Sequence, residues 1–173
     1  MAVLVDAQGT PPFLPNVYAT FHYRDNGSSS ATIKKALRTL GMAYLWASAR
    51  KLDLHAAISS EAFLSIEQCE DLAFFLRLDR PSQDRELALS MEELPSRVVR
   101  LEQVRGGFHQ KASERTACSA EEGAYRIRIV AAFLEYQLEK VEQGLPRPAP
   151  GTAKDEAVHP SIRRLKALIP SVG

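Results

Sequence analysis

The sequence predicts a mainly α-helical protein, a small helical bundle that follows a short extended or strand segment. Two long stretches, residues 31–50 and 119–143, repeat apolar residues at the period of an α-helix. Ser65 and Ser119 each begin a capping-box sequence, Ser-x-x-Gln and Ser-x-x-Glu, which is typical of a helix N-terminus. Helix starts and apolar stripes agree along the chain, so helices packed in one domain are the expected architecture.

Length and composition limit the class of protein. The chain has 173 residues, of which 45% are hydrophobic and 25% are charged, as in an ordinary globular domain. No apolar run approaches the roughly 18 residues of a membrane-spanning helix, and the N-terminus lacks the basic start of a signal peptide. Cys69 and Cys118 have no metal-type spacing, which favours a reducing, cytoplasmic location over a disulfide between them.

The first half of the chain predicts a strand and two helices. Residues 2–5 indicate a short strand within an extended N-terminal segment, 1–15, that prolines interrupt. A short helix follows over 16–23, with an inward face of Val17, Tyr18 and Phe21. Serines at 28–30 offer capping oxygens to the long helix over 31–50. The apolar stripe of that helix consists of Ile33, Leu37, Leu40, Tyr44 and Ala47, with Trp46 in the core.

The second half predicts two further strong helices and several weaker elements. After a connection over 52–64, a helix begins at Ser65 and buries Cys69, Leu72, Ala73, Phe75 and Leu76. Residues 85–93 indicate a helix, and 97–104 either a strand or an extended segment. The helix that begins after Ser119 buries Ala124, Ile127, Val130, Ala131, Leu134, Leu138 and Val141.

These elements divide the chain into four parts. The extended segment 1–15 precedes a helical domain over 16–143. Residues 144–160 contain a proline-rich stretch and are expected to form a semi-rigid linker. Residues 161–173 begin with a short amphipathic helix, 161–169, which the linker tethers to the domain.

No sequence pattern of a common catalytic site is present. The chain lacks a Gly-x-Gly-x-x-Gly or Walker loop, a Gly-x-Ser-x-Gly elbow and a His-Glu-x-x-His zinc site. Its four histidines lie in four separate segments. We therefore expect no catalytic residue, no metal, no cofactor and no small-molecule substrate.

The charged residues are unevenly distributed, although the formal net charge is only +1. Residues 24–51 contain six basic residues and one acidic residue, whereas 61–71 contain four acidic residues and no basic one. Lys34, Lys35 and Arg38 lie near the positive end of a helix dipole, which is unfavourable and indicates an anionic partner. Solvated helix faces are the alternative explanation.

A second basic group surrounds the start of the helix over 119–143. Helix N-termini with neighbouring Lys, Arg, Ser and Thr bind phosphate, so two such termini side by side would hold a nucleic-acid backbone at two points. Arg126 and Arg128 are expected to point away from the apolar stripe and are the candidates for a groove contact. The predicted DNA-contacting residues are Thr32, Lys34, Lys35, Arg38, Lys111, Arg115, Thr116, Arg126 and Arg128.

Three segments resemble the core-binding domain of tyrosine recombinases of the phage integrase family. Residues 24–46 resemble its opening, in which a Gly-Ser start leads a helix that ends near an aromatic pair, here Tyr44 and Trp46. Residues 63–72 resemble its next helix, and residues 119–136 its last long helix. The likeness covers roughly residues 16–143.

This resemblance implies a helical, SAM-like domain that clamps duplex DNA and positions it for integration or recombination. Self-association on DNA is a further expectation. The family's catalytic domain carries an Arg, a Lys, a His-x-x-Arg and a nucleophilic Tyr, and no histidine of this chain is followed by Arg three residues on. We therefore expect the chain to be a non-catalytic N-terminal region or a stand-alone relative.

A helical protein–protein interaction module without DNA affinity is the alternative from a different class. It would use the acidic segment 61–71 and the C-terminal helix to dock onto another subunit. The near-neutral net charge motivates this alternative.

Overall fold

The computed structural model describes residues 2–6, 9–59, 63–92, 115–144 and 153–171. A π-helical turn, Thr20–Arg24, follows the first helix directly. The described residues confirm the predicted helical bundle. Their seven α-helices are α1 (Phe13–Ala19), α2 (Ser30–Ala49), α3 (Leu54–Ser59), α4 (Ile66–Arg77), α5 (Arg80–Glu92), α6 (Ala120–Gly144) and α7 (Ala153–Ala167).

One large apolar core joins these helices, with α6 at its centre, and a small second cluster consists of Ala19, Ile33 and Leu37. Helix α6 contacts α1, α2, α3, α4 and α7. Trp46 of α2, Phe75 of α4 and Phe133 of α6 are all buried, and Leu165 of α7 belongs to the same cluster. Burial of each such side chain contributes about 1.5–3 kcal/mol, so this cluster is the main source of stability.

Serine side chains cap three of the helices at the predicted positions. At the start of α2, Ser29 Oγ accepts a hydrogen bond from the backbone N–H of Thr32 at 3.2 Å. At the start of α6, Ser119 Oγ accepts one from the backbone N–H of Glu122, also at 3.2 Å. Ser65 and Gln68 form a complete capping box before α4. Each cap contributes about 1 kcal/mol. The caps also fix where α2 and α6 begin, and therefore where their first-turn side chains lie.

The N-terminal residues 2–6 have no regular secondary structure, so the strand predicted over 2–5 is wrong. The side-chain amide of Asn16 replaces a neighbouring strand, because Leu4 N–H donates to its Oδ1 at 2.9 Å and Leu4 C=O accepts from its Nδ2 at 3.0 Å. The Leu4 side chain lies against Gly41 of α2, where an added Cβ would be 3.1 Å from Leu4 Cδ1. In the described ranges no strand lies alongside this segment.

Helix α1 and the π-helical turn occupy the region predicted as one short helix. Tyr18 is buried as predicted, but Phe21 is 56% exposed, so its predicted inward position is wrong. A π-helical turn holds more residues than an α-helical turn and rotates the following side chains out of register. This rotation explains why the helical period misplaced Phe21.

Other boundaries also differ from those predicted. Residues 52–64 contain α3, and α5 begins at Arg80 rather than at residue 85. Helix α7 begins at Ala153, within the predicted linker, and packs on α4 and α6. Its Ile162 and Leu165 are buried, which makes it part of the bundle. The predicted element over 97–104 lies outside the described residues.

Cys69 is buried, Cys118 is half-buried, and both are free thiols. Burial raises the pKa of the Cys69 thiol to about 12, which keeps it in its protonated, unreactive form at neutral pH. Across the described part of the chain, no helix combines the length and apolar composition that crossing a bilayer requires.

Candidate nucleic-acid interface

The N-terminal turns of α2 and α6 lie side by side. Lys35 Nζ of α2 is 2.9 Å from Glu122 Oε2 of α6. The same ammonium lies 4.0 Å from the centroid of the Tyr125 ring, a cation–π distance. The two basic helix starts that the sequence singled out are therefore neighbours, and a carboxylate of the protein lies between them.

Three cations form one exposed surface on α2, which we call the cationic face: Lys34, Lys35 and Arg38. All three are exposed, because Ile33, Ala36 and Leu37 occupy the buried positions between them. The sequence of α2 contains no Asp or Glu, so no carboxylate on this helix offsets them. The face therefore has a charge of +3 before contacts from other helices are considered.

Two cavities flank the cationic face. The first, of about 450 Å³, lies between α2 and α6 and is lined by Lys34, Lys35 and Arg38 together with Glu122 and Arg126. The second, of about 300 Å³, lies between α2 and the N-terminal residues 2–4. Lys34 and Arg38 line both cavities, so these two side chains form a ridge between two depressions.

Glu122 holds a cation from each helix. Its Oε1 accepts from Arg126 Nε at 2.9 Å, while its Oε2 contacts Lys35. Burial of the carboxyl opposes its ionisation, but the hydrogen bonds from Lys35 and Arg126 and their charges outweigh burial and lower its pKa. The carboxylate is thus an anion with two cationic partners.

Arg126 lies in the interior, so the prediction that it points outward, away from the apolar stripe, is wrong. It is 8% exposed and donates from one terminal nitrogen to the carbonyls of Leu76 at 3.1 Å and Leu78 at 2.9 Å. These carbonyls end helix α4, where intrahelical donors run out. Helix α6 is surrounded by five helices, which is why its presumed outer face is also covered.

Arg115 and Thr116 lie away from the cationic face. Arg115 Nε pairs with Glu86 Oε1 of α5 at 2.8 Å, and Arg115 lines a cavity of about 520 Å³ with Arg50 and Lys51, at the opposite end of α2. That end is about 24 Å along the helix from Lys34. The N–H of Thr116 donates to Ser82 Oγ of α5, which ties the chain to that helix.

The remaining predicted contacts have different surroundings. Thr32 Oγ1 hydrogen-bonds Ser29 Oγ at 2.9 Å, so Thr32 belongs to the cap of α2. Arg128 is exposed on α6. Lys111 lies outside the described residues.

Sequence analysis missed Glu122 and Tyr125 as members of the site. The capping-box pattern explained Glu122 as a residue that only stabilises the helix start. Its spacing of four residues from Arg126 on one helix was, however, a signal for an ion pair. No sequence signal linked Tyr125 to Lys35, because that contact depends on how α2 and α6 pack.

Comparison of the chain with protein-family models, with curated proteins and with solved structures finds no match.

Proposed function

We propose that the protein binds the phosphate backbone of duplex DNA through the cationic face of α2. One observation carries this proposal: three exposed cations lie on one helix that has no acidic residue, beside the N-terminal turn of a second helix. Lysine and arginine side chains at helix N-termini match the charge and hydrogen-bonding needs of phosphate. DNA positioning of this kind is the role that the resemblance to recombinase core-binding domains implies.

The contacts within the chain sort the predicted residues into two groups. Lys34 and Arg38 form the ridge between the cavities and are the main phosphate contacts in this proposal, with Arg128 as a further contact. Arg126 is buried and Arg115 pairs with Glu86, so both have a structural role here. The interface that we propose is therefore smaller than the one that the sequence predicts.

The experiment compares two double variants that remove the same charge. Lys34→Ala/Arg38→Ala removes the ridge, while Lys51→Asn/Arg163→Ala removes two exposed cations elsewhere. Asn suits position 51, because its φ of 54° is left-handed and Asn tolerates that conformation. Duplex affinity is measured by gel shift and fluorescence anisotropy between 50 and 200 mM salt, a range over which the Debye length falls about twofold.

The ridge variant is expected to bind about tenfold more weakly on several unrelated duplexes. The slope of log affinity against log salt should fall by about two, since each lost phosphate contact contributes about 0.9. The control variant should change both quantities much less. Equal losses of duplex affinity in the two variants would show that Lys34 and Arg38 are not the main phosphate contacts. A wild type that does not bind duplex DNA would refute DNA as the ligand.

The protein–protein interaction module remains the second proposal. Part of the acidic surface that it would use is already engaged by contacts within this chain. Glu70 accepts from Arg164 Nε of α7 at 2.8 Å, and Asp71 accepts from Arg50 Nε at 2.8 Å. The acidic segment therefore pairs with the C-terminal helix through Glu70 and with the residue that ends α2 through Asp71. Light scattering separates the proposals, because a stable oligomer without DNA affinity would favour the module.

A further inference from the structure

We propose that Glu122 is a built-in competitor of phosphate: its carboxylate occupies Lys35, and a DNA phosphate must take its place to use the whole cationic face. This inference rests on the proposed function and adds a residue that sets its affinity. The carboxylate occupies the junction of the two helix starts, where both of its oxygens are engaged by cations.

The two partners of Glu122 differ in how firmly they are held. Arg126 also donates to the two carbonyls at the end of α4, and 10% of its side chain is exposed. Lys35 is 51% exposed, and its other described contact is the Tyr125 ring. Lys35 is therefore the partner that can be exchanged, while Arg126 keeps Glu122 in position.

The cavity beside this ion pair is where an incoming phosphate would meet Lys35. It is lined by all three cations of the cationic face and by Glu122. A phosphate in this cavity would be attracted by Lys34 and Arg38 and repelled by the Glu122 carboxylate. The repulsion is offset when the Lys35 ammonium turns from the carboxylate to the phosphate. An ion pair this exposed stabilises the fold only weakly, so the exchange is accessible.

Neutralising Glu122 should therefore strengthen DNA binding more than its charge alone accounts for. The test is Glu122→Gln, which keeps an acceptor oxygen for Arg126. Its matched control is Glu121→Gln, because Glu121 is an exposed neighbour in the same helical turn and the change in net charge is identical.

We expect Glu122→Gln to bind a 20-base-pair duplex about fivefold more tightly than Glu121→Gln. Its salt slope should be steeper by about one, because Lys35 gains a phosphate. In a Lys35→Ala background the difference in salt slope between the two Glu variants should disappear, and their difference in affinity should shrink to the direct repulsion between Glu122 and phosphate. Equal affinities of Glu122→Gln and Glu121→Gln, or differences in slope and affinity that are unchanged without Lys35, would overturn the inference. Circular dichroism checks that the variants retain their helices.

Failure of the proposed function is distinguishable from failure of this inference. If neither the wild type nor any variant binds DNA, the DNA proposal fails. Sulfate then serves as the anion that probes competition with Glu122 at Lys35. A larger rise in melting temperature with sulfate for Glu122→Gln than for Glu121→Gln would still support competition at Lys35. Equal rises would overturn it.

Discussion

The carboxylate of Asp71 links α4 to the core tryptophan and to the end of α2, and its removal gives a specific prediction. Trp46 is 1% exposed, and its indole N–H donates to Asp71 Oδ2 at 2.8 Å. Arg50 donates to both carboxylate oxygens, at 2.8 and 3.1 Å. Asp71→Ala leaves the buried indole N–H without its acceptor and also breaks the ion pair.

The expected cost is the sum of these two losses. An unpaired buried donor costs about 1–3 kcal/mol, and a partly exposed ion pair contributes up to about 1 kcal/mol. Asp71→Ala should therefore lower the free energy of unfolding by about 1–4 kcal/mol. For a chain of this size, each kcal/mol lowers the melting temperature by about 2–4 °C. Urea titration at pH 7 and calorimetry measure both quantities.

Arg50→Ala is the comparison that tests the reasoning. It breaks the ion pair and the exposed hydrogen bond from Arg50 Nη1 to Ser90 Oγ at 3.0 Å, but it leaves Asp71 as the acceptor for Trp46. Its cost should therefore stay near about 1 kcal/mol, below that of Asp71→Ala. If Arg50→Ala costs as much as Asp71→Ala, the buried indole bond contributes nothing and the reasoning is refuted.

The same carboxylate predicts how stability depends on pH. Burial of Asp71 opposes its ionisation, but hydrogen bonds from Arg50 and Trp46 and the Arg50 charge outweigh it, so its pKa is lowered on folding. Its stabilising contribution is present above the unfolded pKa of about 4 and is lost as the pH falls through the lower folded value. The stability difference between wild type and Asp71→Asn should therefore narrow below about pH 4; a constant difference down to pH 3 would contradict this.

Three further predictions concern the interior. Arg126→Met leaves the two carbonyls at the end of α4 without their shared donor and should cost about 2–4 kcal/mol in urea unfolding; a neutral result would mean that water replaces the guanidinium. Leu165→Ala should cost about 2–4 kcal/mol in the same assay, since it opens a cavity in the shared core, and a cost below 1 kcal/mol would show that α7 packs only loosely. A thiol reagent at pH 8 should modify Cys118 well before Cys69, because burial suppresses the Cys69 thiolate; equal rates by mass spectrometry would argue against this core.

Local sequence signals predicted the helices whose ends and faces are encoded nearby. The serine caps and the apolar stripes placed α2, α4 and α6 correctly, because both signals operate within a few residues. They could not place Phe21, since the π-helical turn that exposes it changes the period itself. Nor could they show that Ile162 and Leu165 join the core, because that depends on partners about 90 residues away on α4.

The candidate site was predictable to a similar extent. The exposure of Lys34 and Arg38 follows from the helical period of α2 alone. The burial of Arg126 does not, because it follows from the number of helices around α6 and from the free carbonyls of α4. Arg115 lies at the other end of α2 from Lys34, since its position follows the path of the chain along α5.

The Asn16 amide that holds Leu4 has a consequence for local opening. It makes both described hydrogen bonds of Leu4, whose side chain rests against Gly41 and packs on the small cluster of Ile33 and Leu37. Residues 2–6 can therefore separate from the bundle while uncovering only this edge of α2. Such a separation breaks few contacts, so its free energy is far below that of global unfolding. The amide proton of Leu4 should therefore exchange with deuterium much faster than those in the middle of α6. Because residues 2–4 form one wall of the cavity beside Lys34, each such separation also opens that cavity.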